Sequence, residues 1–281
     1  MNSLAVDIGG TKIRFIVYSP KREIISEYSL PTMKYFHKEG AKDLHSVFSV
    51  INRQVGTWNF QAVGISFNGI VKDKIIQKSS LLGKIENIDL EPILQKYFSF
   101  KEYFCDNDVF CMTKAENRYG IGKKYASFIF VNLGTGIRVV AVENNNLIRG
   151  YKNIAGEICM NPLWVKELNS FLTIEEMISG RGIEFLSKKV FHKKITAEKV
   201  FNDNNIDIIT FFCTYLAQFL IDASFFYNPE IIVFGGSLIK SSNQWLPLVK
   251  TLYSSHPMKE FLATEIIVSK LDFPASLGAL L

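Results

Sequence analysis

The chain lacks any C-x-x-C pair, any basic leader followed by an apolar stretch and a small-residue cleavage site, any polybasic arm and any G-x-x-x-x-G-K-[ST] loop. Each absence excludes a class. The four cysteines, Cys105, Cys111, Cys159 and Cys213, form neither a disulfide framework nor a zinc ribbon, and fit buried thiols in a reducing cytoplasm. A start that runs MNSLAVDI almost directly into a strand pattern is not a secretory signal. Lys and Arg number 32 against 27 Asp and Glu. The runs Lys188-Lys189 and Lys193-Lys194 are too short for a nucleic-acid-binding arm and read as a solvated face. The most apolar segment, FFCTYLAQFLIDASFF, carries Thr214, Gln218 and Asp222 at i, i+4 and i+8, a polar stripe that argues against a membrane span. Without a P-loop, any nucleotide must be held another way.

What is present is an ordinary globular composition, 48% hydrophobic and 21% charged over 281 residues, enough for about two domains. Strand and helix patterns alternate throughout, which means an α/β protein. LAVDI and KIRFIVYS flank a Gly-Gly turn and EIISEYSL extends a meander. A helix is expected over roughly 40–55, followed by AVGISF and short strands around GIVKDKIIQK. A helix near 88–98 leads to EYFC and to the helix after Asp108. SFIFVNLGTGIRVVAVENNNLIRG reads as a three-strand meander with an Asn-rich turn. Helices are expected near 173–190 and 205–227, the second stopped at Asn228-Pro229, before IIVFGGSL, another helix, TEIIVS and a short terminal helix.

One internal echo stands out. DIGGTKIRFIVYS and NLGTGIRVVAVEN both run from Asp7 or Asn132 through a Gly/Thr turn into Ile-Arg and β-branched alternation. Two unrelated hairpins would also read this way, but the shared turn chemistry favours a duplicated, phosphate-facing hairpin. Gly9 and Gly10 lack Cβ atoms, so their N–H groups can approach phosphate oxygens closely. Thr11 and Thr135 add hydroxyl donors beside Gly134 and Gly136. Lys12 either contacts phosphate or is solvated.

A second stretch, CDNDVFCMTKAE, sets Asp106, Asn107 and Asp108 at the mouth of a helix. Asp106 or Asn107 suits a helix cap, and capping needs only one of the three. A metal cradle is the weaker reading, because no further carboxylates or Gly follow at calcium-loop spacing. The third reading is a carboxylate kept for chemistry.

In collinear order DIGGTK, GISFNGIVKD, CDNDVFCMTKAE, VNLGTGI, AGEI, IEEMISGRG, IIVFGGSL and SLGAL resemble the ROK family of sugar kinases. The resemblance covers nearly the whole chain. It implies a two-lobed actin/hexokinase-like (ribonuclease H-like) α/β fold with a duplicated core. The expected N-terminal lobe is 1–118; the C-terminal lobe is 119–281, its last residues packing back on the first. It also implies ATP and Mg2+ as cofactors, with Asp7 holding the Mg2+ shell through water and Gly235 and Gly236 at the adenosine end, although a plain strand–helix turn would look the same. Asp108 is then the general base, and Asn107, Gly69, Glu157 and Glu175 contact the sugar. The bland alternative for Glu175 is a solvated first-turn residue, and Glu176 competes with it. Ser79 and Ser80 stand where many relatives carry a sugar-touching Asn, so the contact at Ser80 is shortened or lost.

The pattern breaks at two places. Many family members bind structural zinc through a His three residues after the sugar Glu and a cysteine cluster downstream. Here that position is Met160, and 161–174 holds no Cys or His, so no zinc is expected. Trp164, Leu168, Phe171 and Leu172 are expected to anchor this loop by packing. Arg138 is the second departure; it either binds phosphate or, like Arg14, lies at a surface strand position. The resemblance implies a cytoplasmic ATP-dependent hexose kinase, glucokinase-like, or else an N-acetylmannosamine or N-acetylhexosamine kinase. It implies a homodimer or homotetramer, with no nucleic-acid or membrane partner. A sugar-responsive transcription factor would need a DNA-binding domain before DIGGTK. A non-catalytic sugar sensor is the alternative of another class, favoured by Met160 and opposed by Asp108, Glu157 and both turns.

Overall fold

The computed structural model describes residues 1–79 and 82–281. The chain begins with β1 (Ser3–Ile8), β2 (Lys12–Tyr18), β3 (Ile24–Pro31), α1 (Ala41–Val55), β4 (Asn59–Phe67) and β5 (Ile70–Lys72). Next come β6 (Ile75–Ser79), β7 (Ile85–Asp89), α2 (Glu91–Leu94), β8 (Ser99–Asn107) and α3 (Asp108–Tyr119). A further run holds β9 (Phe128–Leu133), β10 (Ile137–Glu143), β11 (Asn146–Leu147), β12 (Pro162–Val165), β13 (Ser170–Thr173) and α4 (Ile174–Ile178). The chain closes with α5 (Gly180–Lys189), α6 (Ala197–Asn202), α7 (Ile206–Tyr227), β14 (Ile231–Gly235), α8 (Ser242–Ser254), β15 (Glu265–Val268) and α9 (Pro274–Ala279).

These elements divide into two compact units. The first comprises Met1–Arg118, Tyr151–Asn153 and Leu271–Leu281; the second, Tyr119–Gly150 and Ile154–Lys270. In the first unit the main sheet runs β3-β2-β1-β4-β8, and in the second β11-β10-β9-β14-β15. Each begins with an antiparallel hairpin, β1–β2 or β9–β10, and continues with parallel pairings, β1–β4–β8 or β9–β14–β15. The order and the direction of pairing are the same in both, so the core is duplicated. The central strands are apolar on both faces, as strands covered on two sides must be: Leu4, Ala5, Val6 and Ile8 of β1 and Ile129, Phe130 and Val131 of β9 are fully buried.

The helices form where apolar side chains recur at helical spacing. In α1, Leu44, Val47, Phe48, Ile51 and Val55 line the face turned to the core, and Gly56 at φ 75 ends it. Around α9, glycines on both sides of the contact permit an approach that a side chain would prevent. A Cβ on Gly278 would run into the Cys111 carbonyl of α3, and one on Gly64 into the Ala279 carbonyl. Phe273, Leu277 and Leu280 thereby cover Ala5, Ile16 and Tyr18 on the outer face of the first sheet. The 22-residue α7 is long and apolar enough to cross a membrane by length and composition, but 61% of its apolar window is buried in its own unit. It is a core helix, and Asn228 at φ 44 stops it.

Three expectations need correction. The helix near 88–98 is only α2, Glu91–Leu94, because Ile88 and Asp89 belong to β7, paired with β6. The segment 173–190 is broken at Ser179, whose extended backbone ends α4 and whose hydroxyl caps α5 through the Gly182 N–H. In the β12–β13 hairpin, Trp164 and Phe171 stack edge-on at 5.1 Å but stay 50% and 66% exposed. Strand alternation turns those two outward and Val165 and Leu172 inward, so the latter pair anchors the loop.

Candidate active site

In the first unit, strand register assembles the polar row. Asp7 in β1 pairs with Ser66 in β4, and Ser66 pairs with Asp106 in β8. The Ser66 hydroxyl donates to Asp7 Oδ1 at 2.6 Å. Burial pushes the Asp7 carboxyl up to about 6; the Ser66 hydrogen bond opposes this, the Asp108 charge adds to it and Arg14 lowers it. The Gly9–Lys12 turn is closed by the Gly9 N–H donating to the Lys12 carbonyl at 3.0 Å. It is tied from behind by Thr32, whose hydroxyl donates to the Gly9 carbonyl at 2.7 Å and whose N–H donates to the Thr11 carbonyl at 3.1 Å. Gly10 is half-exposed in this turn, and Thr11 and Lys12 are exposed.

The three polar residues before α3 divide the work among themselves. Asp106 accepts the Asn107 N–H and lies 3.3 Å from Lys114, whose ammonium also donates to the Leu281 carbonyl. Asn107 is the helix cap: its Oδ1 accepts the N–H groups of Val109 and Phe110 at 3.0 and 3.2 Å. Its amide also donates to the Gly69 carbonyl and to Asp108 Oδ1, both at 2.9 Å. Asp108, half-buried at the first position of α3, further accepts the Val109 N–H on Oδ1 and the Asn68 amide on Oδ2, each at 2.9 Å. Gly69 has no room for a Cβ beside the Lys78 carbonyl. Ser79 donates to the Asn68 carbonyl at 2.9 Å, whereas Ser80 lies outside the described residues.

In the second unit the corresponding turn is Gly134–Gly136, closed by the Gly134 N–H on the Gly136 carbonyl at 2.9 Å. The break at Ser179 lets the N–H groups of Gly180 and Arg181 reach the carbonyls of Gly134 and Thr135 at 2.8 and 3.3 Å. Thr135 is exposed at the tip. Glu175, half-buried, accepts the Ile137 N–H at 3.3 Å and lies 3.8 Å from Arg181; a Cβ on Gly136 would stand 2.7 Å from its Oε2. It is therefore no solvated first-turn residue. Its neighbour Glu176 is spent on a capping box with Thr173. Gly235 ends β14 and Gly236 follows it, against the β9–β10 turn. A Cβ on Gly235 would meet the Phe130 ring, and Gly236, at φ 92, lies against Leu133 and Asn132.

Arg138 overturns its expected surface position. It is 8% exposed, and its Nε lies 3.2 Å from Glu157 Oε1. Arg14, its counterpart in the first hairpin, pairs with Glu27 at 3.1 Å and lies over the Phe273 ring at 4.3 Å, nearer the surface. Glu157 and Glu175 both bear on the buried Cys159 thiol, which burial and the two carboxylates push well above its usual range. Met160, in the same short helical turn as Glu157, is 54% exposed. Among the described residues no three His, Cys, Asp or Glu side chains gather as a metal-ligand group. Sequence reasoning overlooked Ser66 and Asn68 as partners of Asp7 and Asp108; they stand 59 and 40 residues away in the chain, and only the side-by-side strands reveal them.

The model of the ROK family matches residues 3–281. An N-acetyl-D-glucosamine kinase from Haemophilus influenzae is 25% identical over 279 residues, covering 88% of this chain and 88% of that protein. A ROK family glucokinase from Streptomyces griseus, solved with glucose and AMPPNP, superposes with a TM-score of 0.79 at 18% identity, covering 100% of this chain and 98% of that one. A ROK family transcriptional regulator, a homolog of the E. coli MLC protein, superposes with a TM-score of 0.81 at 15% identity over 99% of this chain and 77% of that one.

Proposed function

We propose that this chain, which belongs to the ROK family, is an ATP-dependent sugar kinase that moves the terminal phosphoryl group of MgATP onto a sugar hydroxyl. The observation that carries the reading is the Asp108 carboxylate, held by the Asn107 amide, the Val109 N–H and the Asn68 amide at the end of a buried strand. Phosphoryl transfer depends mostly on positioning and charge neutralisation, with a carboxylate to orient the nucleophile and take its proton. Asp108 has that role. Asn107 and Gly69 lie beside it for a second hydroxyl, and Glu157 and Glu175 supply charge-assisted acceptors for further ones. The Gly9–Thr11 and Gly134–Gly136 turns offer N–H and hydroxyl donors to phosphate oxygens, and Gly235 and Gly236 give the adenosine end close access to the backbone.

Asp7 fits an Mg2+ carried in by the nucleotide. Its raised proton affinity marks a half-buried charge that a cation would relieve, and Mg2+ keeps most of its own waters, so one carboxylate suffices. The ion would supply charge neutralisation on the phosphates. No zinc is part of this reading, since Met160 and 161–174 offer no His or Cys.

The acceptor is proposed to be a hexose of the glucose type. Exposed Met160 beside Glu157 favours a second reading, a 2-acetamido hexose such as N-acetylglucosamine or N-acetylmannosamine, whose methyl group an adaptable apolar side chain suits. The kinase name of the Haemophilus relative points the same way. The likeness to a regulator keeps a sugar sensor as the competing class. A cytoplasmic homodimer or homotetramer completes the proposal; four buried, unpaired cysteines suit that compartment. The test is an ADP-release screen over glucose, mannose, N-acetylglucosamine and N-acetylmannosamine, followed by Asp108→Asn. The variant is expected to keep its fold and sugar affinity while kcat falls by ~10²–10⁴. No ADP release with any sugar favours the sensor, and undiminished turnover in Asp108→Asn removes Asp108 from its role.

A further inference from the structure

Asn68 has no part in the reaction as read so far, yet its N–H, its carbonyl and its side-chain Nδ2 are all engaged. Its N–H donates to the Ile8 carbonyl at 3.0 Å, next to Asp7, and its carbonyl accepts the Ser79 hydroxyl at 2.9 Å. Ser79 is in turn fixed by the Leu82 N–H at 3.1 Å. The main chain of Asn68 is thus pinned on both sides, which leaves its side chain a fixed reach: Nδ2 donates to Asp108 Oδ2 at 2.9 Å. The other carboxylate oxygen, Oδ1, is held by two donors from the start of α3 itself, the Asn107 amide and the Val109 N–H. Oδ1 therefore belongs to its helix. The Asn68 donor on Oδ2 comes from another part of the chain, and it fixes the rotation of the carboxyl plane about the bond that Oδ1 leaves free to turn.

We propose that Asn68 is a positioning residue for Asp108, holding Oδ2 at the angle from which it meets the acceptor hydroxyl; this rests on the reading of Asp108 as the base. The chemistry of the donor matters more than its shape. An amide N–H is neutral and cannot surrender its proton to the carboxylate, so it orients the base without competing for its function. An Asp at the same position would keep the volume and both main-chain bonds but would set an acceptor and a second negative charge against Oδ2. Such near-attack alignment is steeply sensitive to displacement.

The test compares Asn68→Ala and Asn68→Asp with wild type, using MgATP and whichever of glucose, N-acetylglucosamine or N-acetylmannosamine the wild type phosphorylates fastest. Asn68→Ala is expected to lower kcat by roughly 10- to 100-fold while the sugar KM moves less than about threefold. Asn68→Asp, nearly isosteric, is expected to be slower than Asn68→Ala, with a melting temperature close to wild type. A filler of space would give the opposite order, since Asp fills what Ala vacates. An Asn68→Asp variant as active as wild type, or a loss in Asn68→Ala that lies wholly in KM, overturns the proposal. A readout without turnover separates this from the kinase reading. The Asn68 side-chain amide NMR signals, identified by their absence in Asn68→Ala, are expected to shift in Asp108→Ala and not in Glu157→Gln. If no sugar is phosphorylated, the kinase reading falls on its own. Amide signals indifferent to Asp108→Ala would then refute the contact itself.

Discussion

Replacing Asp7 by Asn should make the protein more stable and inactive at once. Burial, with the Asp108 charge adding to it, raises the Asp7 carboxyl from its ordinary 3.8 to about 6 in the folded chain, despite the Ser66 hydrogen bond and Arg14. A folded pKa above the unfolded one means that the native state binds the proton more tightly between those values. Ionising Asp7 as pH rises through 6 therefore costs stability, and the cost is complete above that pH. A displacement from 3.8 to about 6 converts to roughly 3 kcal/mol. Asn keeps the size and can still accept the Ser66 hydroxyl through Oδ1, so most of that cost should be recovered. In a chain of this length the gain is about 4–5 °C in melting temperature at pH 7.5. By pH 4.5 the wild-type carboxyl is largely protonated when folded, and the gap should shrink to roughly a third. The assay is thermal unfolding of both proteins across pH 4.5 to 7.5 in metal-free buffer, with ADP release measured alongside. An Asp7→Asn variant no more stable than wild type at neutral pH, or a gap that does not narrow on acidification, refutes the electrostatic argument.

Other substitutions separate the site from its scaffold. Gly136→Ala places a Cβ 2.7 Å from the mobile end of Glu175 and conflicts with little else, so the sugar KM should rise about tenfold with the melting temperature nearly unchanged. An unaltered KM would take Glu175 out of the sugar site. Arg138→Met breaks an ion pair whose acid side chain keeps 36% exposure, so urea unfolding should register a loss of about 1–2 kcal/mol rather than the ~3–5 of a fully buried pair. No loss at all would mean that the guanidinium is hydrated. Gly278→Ala drives a Cβ into the Cys111 carbonyl, where backbone must yield. A loss of roughly 2–3 kcal/mol is expected, with early proteolysis of the C-terminus.

Much of this architecture was legible in the order of residues. The DIGGTKIRF and NLGTGIRVV segments read as hairpins from alternation and turn chemistry, and both form, β1–β2 and β9–β10. The failures cluster where a distant partner decides. The same Ile-Arg step follows both turns, yet Arg14 pairs with Glu27 one strand away and Arg138 is buried against Glu157. Nothing local distinguishes them. The continuous helix expected over 173–190 breaks at Ser179 because the N–H groups of Gly180 and Arg181 bond the carbonyls of Gly134 and Thr135, a contact across more than forty residues that no periodicity encodes.

Periodicity, turn residues and caps act within a few positions, so sequence by itself determined the elements, their duplication and the presence of a polar triplet before a helix. It left open which partners Asp106, Asn107 and Asp108 would meet. Tertiary structure decided that: Lys114 takes Asp106, the helix N-terminus takes Asn107, and Asn68, placed just past the end of neighbouring β4, meets Asp108. The reason is geometric. Parallel strands align residues dozens of positions apart at hydrogen-bonding distance, and the role of a buried polar side chain is set by the partner that arrives there.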